Sequence, residues 1–139
     1  MFLEWQPIYS VNVKEIDEQH QKIFVILNKI FALKKDSKQS VPDRAEVENF
    51  LQELKDYGVY HFDTEEKYFQ KFNFPDQAAH IAQHEQYKKS LAELEKKWET
   101  IETSEVIKEL ADFLQGWWLG HIQHSDIQYS DFFNQNGLY

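Results

Sequence analysis

The sequence contains no cysteine, and this absence excludes several kinds of site at once. None of its 139 residues can contribute to a disulfide framework, a thiolate zinc site or an iron–sulfur cluster. Any metal bound by this chain must therefore use nitrogen and oxygen ligands. Glycine and proline are also scarce, with four and three residues, so we expect few turns and a mostly helical chain.

Long apolar runs and basic clusters are missing as well. No stretch approaches the length of a membrane span, and the N-terminal MFLEWQPIYS lacks the basic and apolar regions of a secretory signal. The formal net charge of −9 disfavours binding to nucleic acid and to anionic membrane surfaces. We therefore expect a cytoplasmic protein that has neither nucleic acid nor a membrane as its partner.

Hydrophobic residues make up 42% of the chain and aromatic residues 16%, enough for a compact core. The apolar residues recur with helical spacing after an extended N-terminal arm, residues 1–16. The predicted helices cover residues 17–36, 41–72, 76–99 and 104–134. Four amphipathic helices with short connections favour an all-α fold, an up-down-up-down four-helix bundle. We expect the whole chain, 1–139, to form a single domain.

Residue types that favour helix ends mark several of these boundaries. Pro75 disfavours helical conformation in the residue before it and so predicts the end of the second helix. The predicted helix starts carry residues that can cap a helix or open its first turn. These are Asp17 for the first helix, Ser40 with Pro42 and Asp43 for the second, and Thr103 or Ser104 for the fourth.

Seven side chains able to bind metal lie on the apolar stripes of these helices. The segment HFDTE carries His61 and Glu65, and HIAQH carries His80 and His84. The members of each pair stand four residues apart, so they share a helix face and can hold one ion. Buried polar groups are costly unless they are paired or ligated, which favours a buried metal centre over separate core histidines. The sixth histidine, His124, falls off the stripe and is predicted to be exposed. The seven candidates are His20, His61, Glu65, His80, His84, His121 and Asp126.

The spacing of five between His121 and Asp126 differs from that of the other pairs. In a regular helix, five residues turn the chain by about 500°, so the two side chains point about 140° apart. We therefore expect Asp126 to approach the metal from a different side than His121, in a bridging position.

The ligand types narrow the choice of metal. Imidazole and carboxylate without thiolate suit iron, manganese, zinc or copper. Since zinc prefers about four ligands, seven ligands are too many for one zinc ion, and the set implies two ions.

The segments IDEQH, HFDTEE, HIAQH and WWLGHIQHSD, in this order and with these separations, resemble the hemerythrin family, specifically its bacterial single-domain members. The resemblance covers roughly residues 5–133 and fills all seven ligand positions. It implies a non-heme pair of iron ions with an oxo or hydroxo bridge, in which Glu65 and Asp126 also join the two ions. By this resemblance one iron would be held by His80, His84 and His121, and the other by His20 and His61.

This ligand set leaves one position open in two roughly octahedral irons, which offer about twelve. The open position lies on the iron that only His20 and His61 hold. The resemblance implies that O₂ binds there reversibly, for transport, storage or delivery, and that the protein is a monomer and not an enzyme. Two alternatives stay open, a di-iron enzyme acting on peroxide or nitric oxide, and a stand-alone O₂ sensor or iron reserve.

Four positions depart from the family pattern, and two of them, Phe69 and Phe74, are expected to be neutral exchanges in the core. Trp118 stands three residues before His121, where leucine is usual, and its indole either narrows the gas pocket or places an N–H near the bound ligand. Asn12 replaces a glycine in the arm, and asparagine tolerates the positive φ that a turn needs there. We expect the ligand pocket to be lined by Ile23, Phe24, Trp117 and Trp118.

Overall fold

The computed structural model describes residues 2–36 and 43–139, and most of them are helical. Helix α1 packs against both α2 and α4, and α3 packs against the same two helices. This up-down-up-down four-helix bundle confirms the predicted fold class, and the described residues contain no strand. Nor does any helix among them have the length and apolar character to cross a bilayer. The four helices are α1 (Lys14–Asp36), α2 (Arg44–Phe72), α3 (Gln77–Trp98) and α4 (Thr103–Gly120).

The N-terminal arm ends earlier than predicted, because α1 begins at Lys14 and not at residue 17. Asp17 therefore lies within the first turn and is not the cap. Its carboxylate instead accepts hydrogen bonds from the Ser10 hydroxyl, at 2.5 Å, and from the Val11 backbone N–H, at 2.9 Å. These bonds tie the arm to α1. Asn12 has the positive φ that was predicted, 58°.

Helix α2 has a capping residue at each end. At the start, the Asp43 carboxylate accepts the Ala45 backbone N–H; Ser40 and Pro42 lie outside the described residues. At the other end Asn73 adopts the left-handed conformation, with φ 54°, and the Phe74 N–H returns to the Phe69 carbonyl at 2.9 Å. Together with Pro75, this turn ends α2 at Phe72 and directs the chain into α3.

Helix α4 differs most from the prediction of one continuous helix over 104–134. Neither Thr103 nor Ser104 caps it, because Glu102 precedes its first residue and makes no side-chain cap bond. The Thr103 hydroxyl instead accepts a hydrogen bond from Arg44 Nε at 3.2 Å. Beyond Gly120 the chain stays helical but changes form three times. A π-helical segment (His121–Ser125) leads into a 3₁₀ turn (Asp126–Tyr129) and a short helix α5 (Ser130–Gln135).

Two clusters of buried apolar side chains fill the bundle. The larger core includes Leu27 and Leu54, and the smaller core includes Ile16 and Phe69. Along α1 and α2, the segments between the two cores carry the buried polar residues that the sequence singled out. The candidate site therefore lies inside the bundle, between two apolar regions that shield it from solvent.

Candidate metal centre

The structure brings all seven predicted ligands together in the middle of the bundle. None of their side chains is more than 5% exposed, although all of them are polar or ionisable. They form two groups that share Glu65, each small enough for its ligand atoms to surround one ion. The first group contains Glu65, His80, His84 and His121, and the second contains His20, His61, Glu65 and Asp126. We call the histidines of these groups the three-histidine group and the two-histidine group.

The two-histidine group joins neighbouring helices. His20 on α1 and His61 on α2 face each other with their Nε2 atoms 3.1 Å apart. One turn further along α2, Glu65 places Oε1 3.3 Å from His61 Nε2. This part of the site depends on the register between α1 and α2 as well as on the spacing within α2.

The three-histidine group combines one turn of α3 with the end of α4. His80 and His84 stand four residues apart on α3, and their ring centroids are 4.9 Å apart. His121 completes the group, with its Nε2 atom 3.2 Å from that of His84. The prediction that HIAQH presents two imidazoles on one helix face is confirmed.

The helix widens between His121 and Asp126, and the prediction that their side chains point about 140° apart is wrong. The Asp126 backbone N–H bonds the His121 carbonyl five residues back, as in a π-helix. Five residues then make about one turn, so the two side chains point the same way and do not diverge by about 140°. His121 Nε2 lies 2.9 Å from Asp126 Oδ1.

Both carboxylates lie between the two histidine groups. Asp126 approaches His20 Nε2 with Oδ2 at 3.0 Å and His80 Nε2 with Oδ1 at 2.9 Å. Glu65 Oε1 lies 3.2 Å from His84 Nε2 as well as close to His61. Each carboxylate therefore contacts at least one histidine of both groups, the arrangement that a bridge between two ions requires.

The outer nitrogens of three imidazoles have partners that fix the tautomer. Each Nδ1 meets a side-chain oxygen, which must accept the Nδ1 proton. In the neutral ring the lone pair then lies on Nε2, which points into the site. Burial lowers the pKa of His61 to about 4, so this ring is neutral at pH 7. The three pairs are His61 with Gln19 at 2.7 Å, His84 with Glu66 at 2.9 Å and His121 with Gln83 at 3.0 Å.

The inner atoms of the site lack any donor among the described residues. All four carboxylate oxygens of Glu65 and Asp126 are buried without a hydrogen bond. Buried charges cost several kcal/mol when they are uncompensated. Lone pairs on imidazole and carboxylate that face one another at about 3 Å repel unless a cation lies between them. The donor set therefore fits two divalent cations of the kind that bind nitrogen and oxygen.

Aromatic rings cover the imidazoles on several sides. Phe62 stacks on His84, with centroids 4.0 Å apart, and Trp117 stacks on His121 at 4.4 Å. Phe62 and the three residues that fix the tautomers, Gln19, Gln83 and Glu66, were not predicted. Each of them lies next to a predicted ligand in the chain, but Gln19 pairs with His61 on another helix, which no spacing rule reveals. Tyr129 was not predicted either; its fully buried ring lies 5.7 Å from that of His80. Burial and the nearby carboxylates raise the pKa of this phenol.

The four residues predicted to line a ligand pocket occupy different surroundings. Trp118 is fully buried with its ring 6.1 Å from that of His61, and its indole N–H donates to the Tyr87 hydroxyl at 3.1 Å. Of the two alternatives for Trp118, this bond disfavours an N–H directed at a ligand. Ile23 is buried in the larger core, Trp117 is half-buried, and Phe24 packs on Trp5 and Tyr9 in the arm. His124 is exposed, as predicted.

Comparison with known proteins identifies relatives along nearly the whole chain. The family model for the hemerythrin HHE cation binding domain matches residues 11–130. A bacteriohemerythrin of Methylococcus capsulatus is 34% identical over 121 residues, which are 87% of this chain and 88% of that protein. One of Stenotrophomonas maltophilia is 31% identical over 129 residues, 93% of this chain and 80% of its own.

A solved structure of wild-type hemerythrin has the same architecture. Its TM-score is 0.76 at 30% sequence identity, and the match covers 94% of this chain and 97% of that one. The similarity thus extends over the fold and over the segments that carry the seven buried ligands. This chain belongs to the hemerythrin family.

Proposed function

We propose that this protein binds O₂ reversibly at a pair of iron ions, as a carrier, store or supplier of oxygen, and not as an enzyme. The observation that carries the proposal is the pair of histidine groups joined by two buried carboxylates, Glu65 and Asp126, in the middle of the bundle. Membership of the hemerythrin family supports iron as the metal. The relatives named bacteriohemerythrin support oxygen binding as the function.

The proposed ligand assignment follows the two groups. The three-histidine group holds one ion and the two-histidine group the other, and Glu65 and Asp126 bridge them. An ion with two imidazoles and the shared bridges has a position free for a small ligand. This position would lie on the side of His20 and His61.

The residues around the two-histidine group give this ligand a dry environment. Trp118, whose ring lies 6.1 Å from that of His61, is fully buried, and so is Ile23, one turn after His20 on α1. Phe62, next to His61, is 1% exposed. When bound, the iron ions would supply the electrons for reversible O₂ binding. The apolar side chains exclude the water that would otherwise promote irreversible oxidation. We also propose that the Trp118 side chain narrows the pocket in which this ligand would bind.

An optical spectrum recorded through a cycle of anaerobic reduction, exposure to air and removal of oxygen tests this function. We expect two irons per chain and an absorption band that appears with O₂ and disappears when O₂ is removed. Steady-state consumption of peroxide or nitric oxide in the same preparation, without a reversible band, would favour the enzyme alternative and contradict the proposal.

His84→Ala tests the ligand assignment. Removing one imidazole of the three-histidine group should lower the bound iron to one per chain or less and abolish the oxygen-dependent band. Iron analysis and the same spectral cycle measure both effects. His124→Ala is the matched control because His124 is exposed, and it should keep the iron and the band. Full iron and an unchanged band in His84→Ala would contradict the assignment.

A further inference from the structure

The outer nitrogens of the imidazoles have acceptors of different charge. His61 and His121 each pair through Nδ1 with the neutral carboxamide oxygen of a glutamine. His84 alone among these three pairs with a carboxylate, Glu66 Oε2, at 2.9 Å. His20 has a buried Nδ1 with no hydrogen-bond partner among the described residues. A negative charge therefore lies behind one histidine of the three-histidine group, whereas the Nδ1 partner found in the two-histidine group is a neutral amide.

We propose that Glu66 is a positioning residue that acts through His84 to stabilise the oxidised state of the metal held by the three-histidine group. The inference rests on the proposed function, since it concerns the iron that this group would bind. A carboxylate that accepts the Nδ1 proton makes the imidazole a stronger donor through Nε2. A stronger donor favours the more highly charged ion. In the couple Fe³⁺ + e⁻ → Fe²⁺, Glu66 would thus lower the reduction potential.

The orientation of His84 does not depend on Glu66 alone. The Phe62 ring lies against the His84 ring with centroids 4.0 Å apart and planes 14° apart. Since Phe62 and Glu66 are one turn apart on α2, the same helix supplies both the face contact and the hydrogen bond. The imidazole plane is thus held by packing, which leaves the charge of Glu66 as its distinct contribution.

The location of Glu66 suits a role in tuning the metal. The His84 side chain is fully buried, whereas that of Glu66 is 25% exposed. A carboxylate at the edge of the bundle keeps part of its hydration and remains charged at a smaller cost than a fully buried one. It lies one imidazole ring away from the metal position and does not occupy a ligand position itself.

Glu66→Gln removes the charge and keeps an oxygen that can accept the same hydrogen bond. We expect two irons per chain to remain bound and the reduction potential to rise. A change of about tenfold in the equilibrium, or about 59 mV for a one-electron couple, is the expected size. The potential is measured by mediated redox titration of the iron-loaded protein, followed by absorption.

The reciprocal substitution provides the matched control. Gln83→Glu places a carboxylate behind His121, in the same three-histidine group, and should lower the potential by a similar amount. A structural disturbance would not shift the potential in opposite directions in the two variants. Opposite shifts at constant iron content are therefore the expected signature of charge acting through the imidazole.

The iron-free protein gives a second readout that does not need the metal. Nitrogen NMR of the imidazoles should show the His84 proton on Nδ1 in the wild type and in Glu66→Gln, and a mixture of tautomers in Glu66→Ala. Two bound irons with an unchanged or lower potential in Glu66→Gln would overturn the inference and leave the proposed function intact. A wild-type protein that takes up no iron would overturn both.

Discussion

The two histidine groups at the centre of the molecule are assembled in different ways. The two-histidine group takes one imidazole from α1 and one from α2, and both come from regular helices that run side by side. The three-histidine group takes two imidazoles from a single turn of α3 and the third from the point where α4 widens. One group thus depends on the register between helices, and the other depends on the local shape of the backbone.

This difference shows where the backbone departs from a regular α-helix to complete the site. His80 and His84 need nothing more than an α-helix, whose four-residue spacing aligns them. His121 and Asp126 stand five apart, and the helix accommodates the extra residue as a π-helical segment, a form often found at functional sites. The wide turn brings Asp126 Oδ1 to 2.9 Å from the Nε2 atoms of both His80 and His121.

Single-residue deletions before and after His121 should distinguish the need for a fixed register of α4 from the need for the wide turn. Their difference in bound iron is the largest effect that we expect. Deletion of Gln123 leaves His121 and Asp126 four apart, so a regular helix would align them again. Deletion of Gly116, in the regular part of α4, turns everything after it by about 100°. We expect the first variant to keep two irons per chain and the second to lose both. Iron analysis after anaerobic loading measures the difference.

The same pair of deletions can contradict the account. Gly116 is exposed, and a side chain at its position would meet no neighbour, so its removal acts through helix rotation and not through lost packing. Full iron on deletion of Gly116 would show that the rotation of His121 and Asp126 about the helix axis does not position the ligands. Loss of iron on deletion of Gln123 would show that a regular helix cannot replace the wide turn.

Acid should destabilise the iron-free protein through the two-histidine group. His61 has a pKa of about 4 in the folded chain and 6.5 as its ordinary value, because burial disfavours the charged ring. The unfolded chain therefore binds the proton more readily, and stability falls as the pH drops from 6.5 towards 4. At 1.36 kcal/mol per pH unit, this one group accounts for about 3 kcal/mol, and it has no effect above pH 6.5.

Urea unfolding of the iron-free wild type and of His61→Gln, at pH 7 and pH 4, isolates this contribution. The glutamine amide does not titrate, so the variant should lose about 3 kcal/mol less stability over this range. Equal losses in the two proteins would show that His61 is not held neutral by burial.

Trp117 and Trp118, at the end of α4, lie beside different histidine groups. We expect substitutions of these two residues to have the smallest effect of the three tests. Trp118 lies near His61, whereas Trp117 stacks on His121 and is half-buried. Trp118→Leu should open space beside the two-histidine group and admit water. We expect the oxygenated form to oxidise about tenfold faster, equivalent to about 1.4 kcal/mol in the barrier, with iron content unchanged.

Trp117→Leu is the matched control, because the same substitution is made one residue away. Its effect on the oxidation rate should be smaller, since Trp117 covers the three-histidine group, which in the proposed assignment has no position free for the ligand. Equal rates in Trp118→Leu and the wild type would remove Trp118 from the ligand pocket.

The sequence predicted the parts of the molecule that depend on local spacing. The four helices, the end of α2 at Phe72 and the exposure of His124 follow from residue type and periodicity. The positive φ of Asn12 follows from the resemblance to a family in which glycine is usual at that position. The wide turn after His121 was not predicted, because its residues fit a regular helix equally well. The convergence of ligands from different helices overrides that local preference.

Contacts between helices account for what else was missed. Gln19 lies next to His20 on α1, yet its side-chain oxygen accepts the Nδ1 proton of His61 on α2. In the sequence, Glu66 is a charged residue next to Glu65 with no feature that links it to His84. The packing of α3 on α2 brings the two side chains into hydrogen-bond contact. Such pairings depend on the relative placement of helices, which a single sequence does not specify.

Anomalous diffraction at the iron absorption edge, from crystals of the iron-loaded protein, tests the central claim most directly. The account predicts two iron peaks inside the bundle, one beside His80, His84 and His121 and the other beside His20 and His61, with Glu65 and Asp126 between them. A single peak, or iron found only on the surface of the bundle, would contradict it.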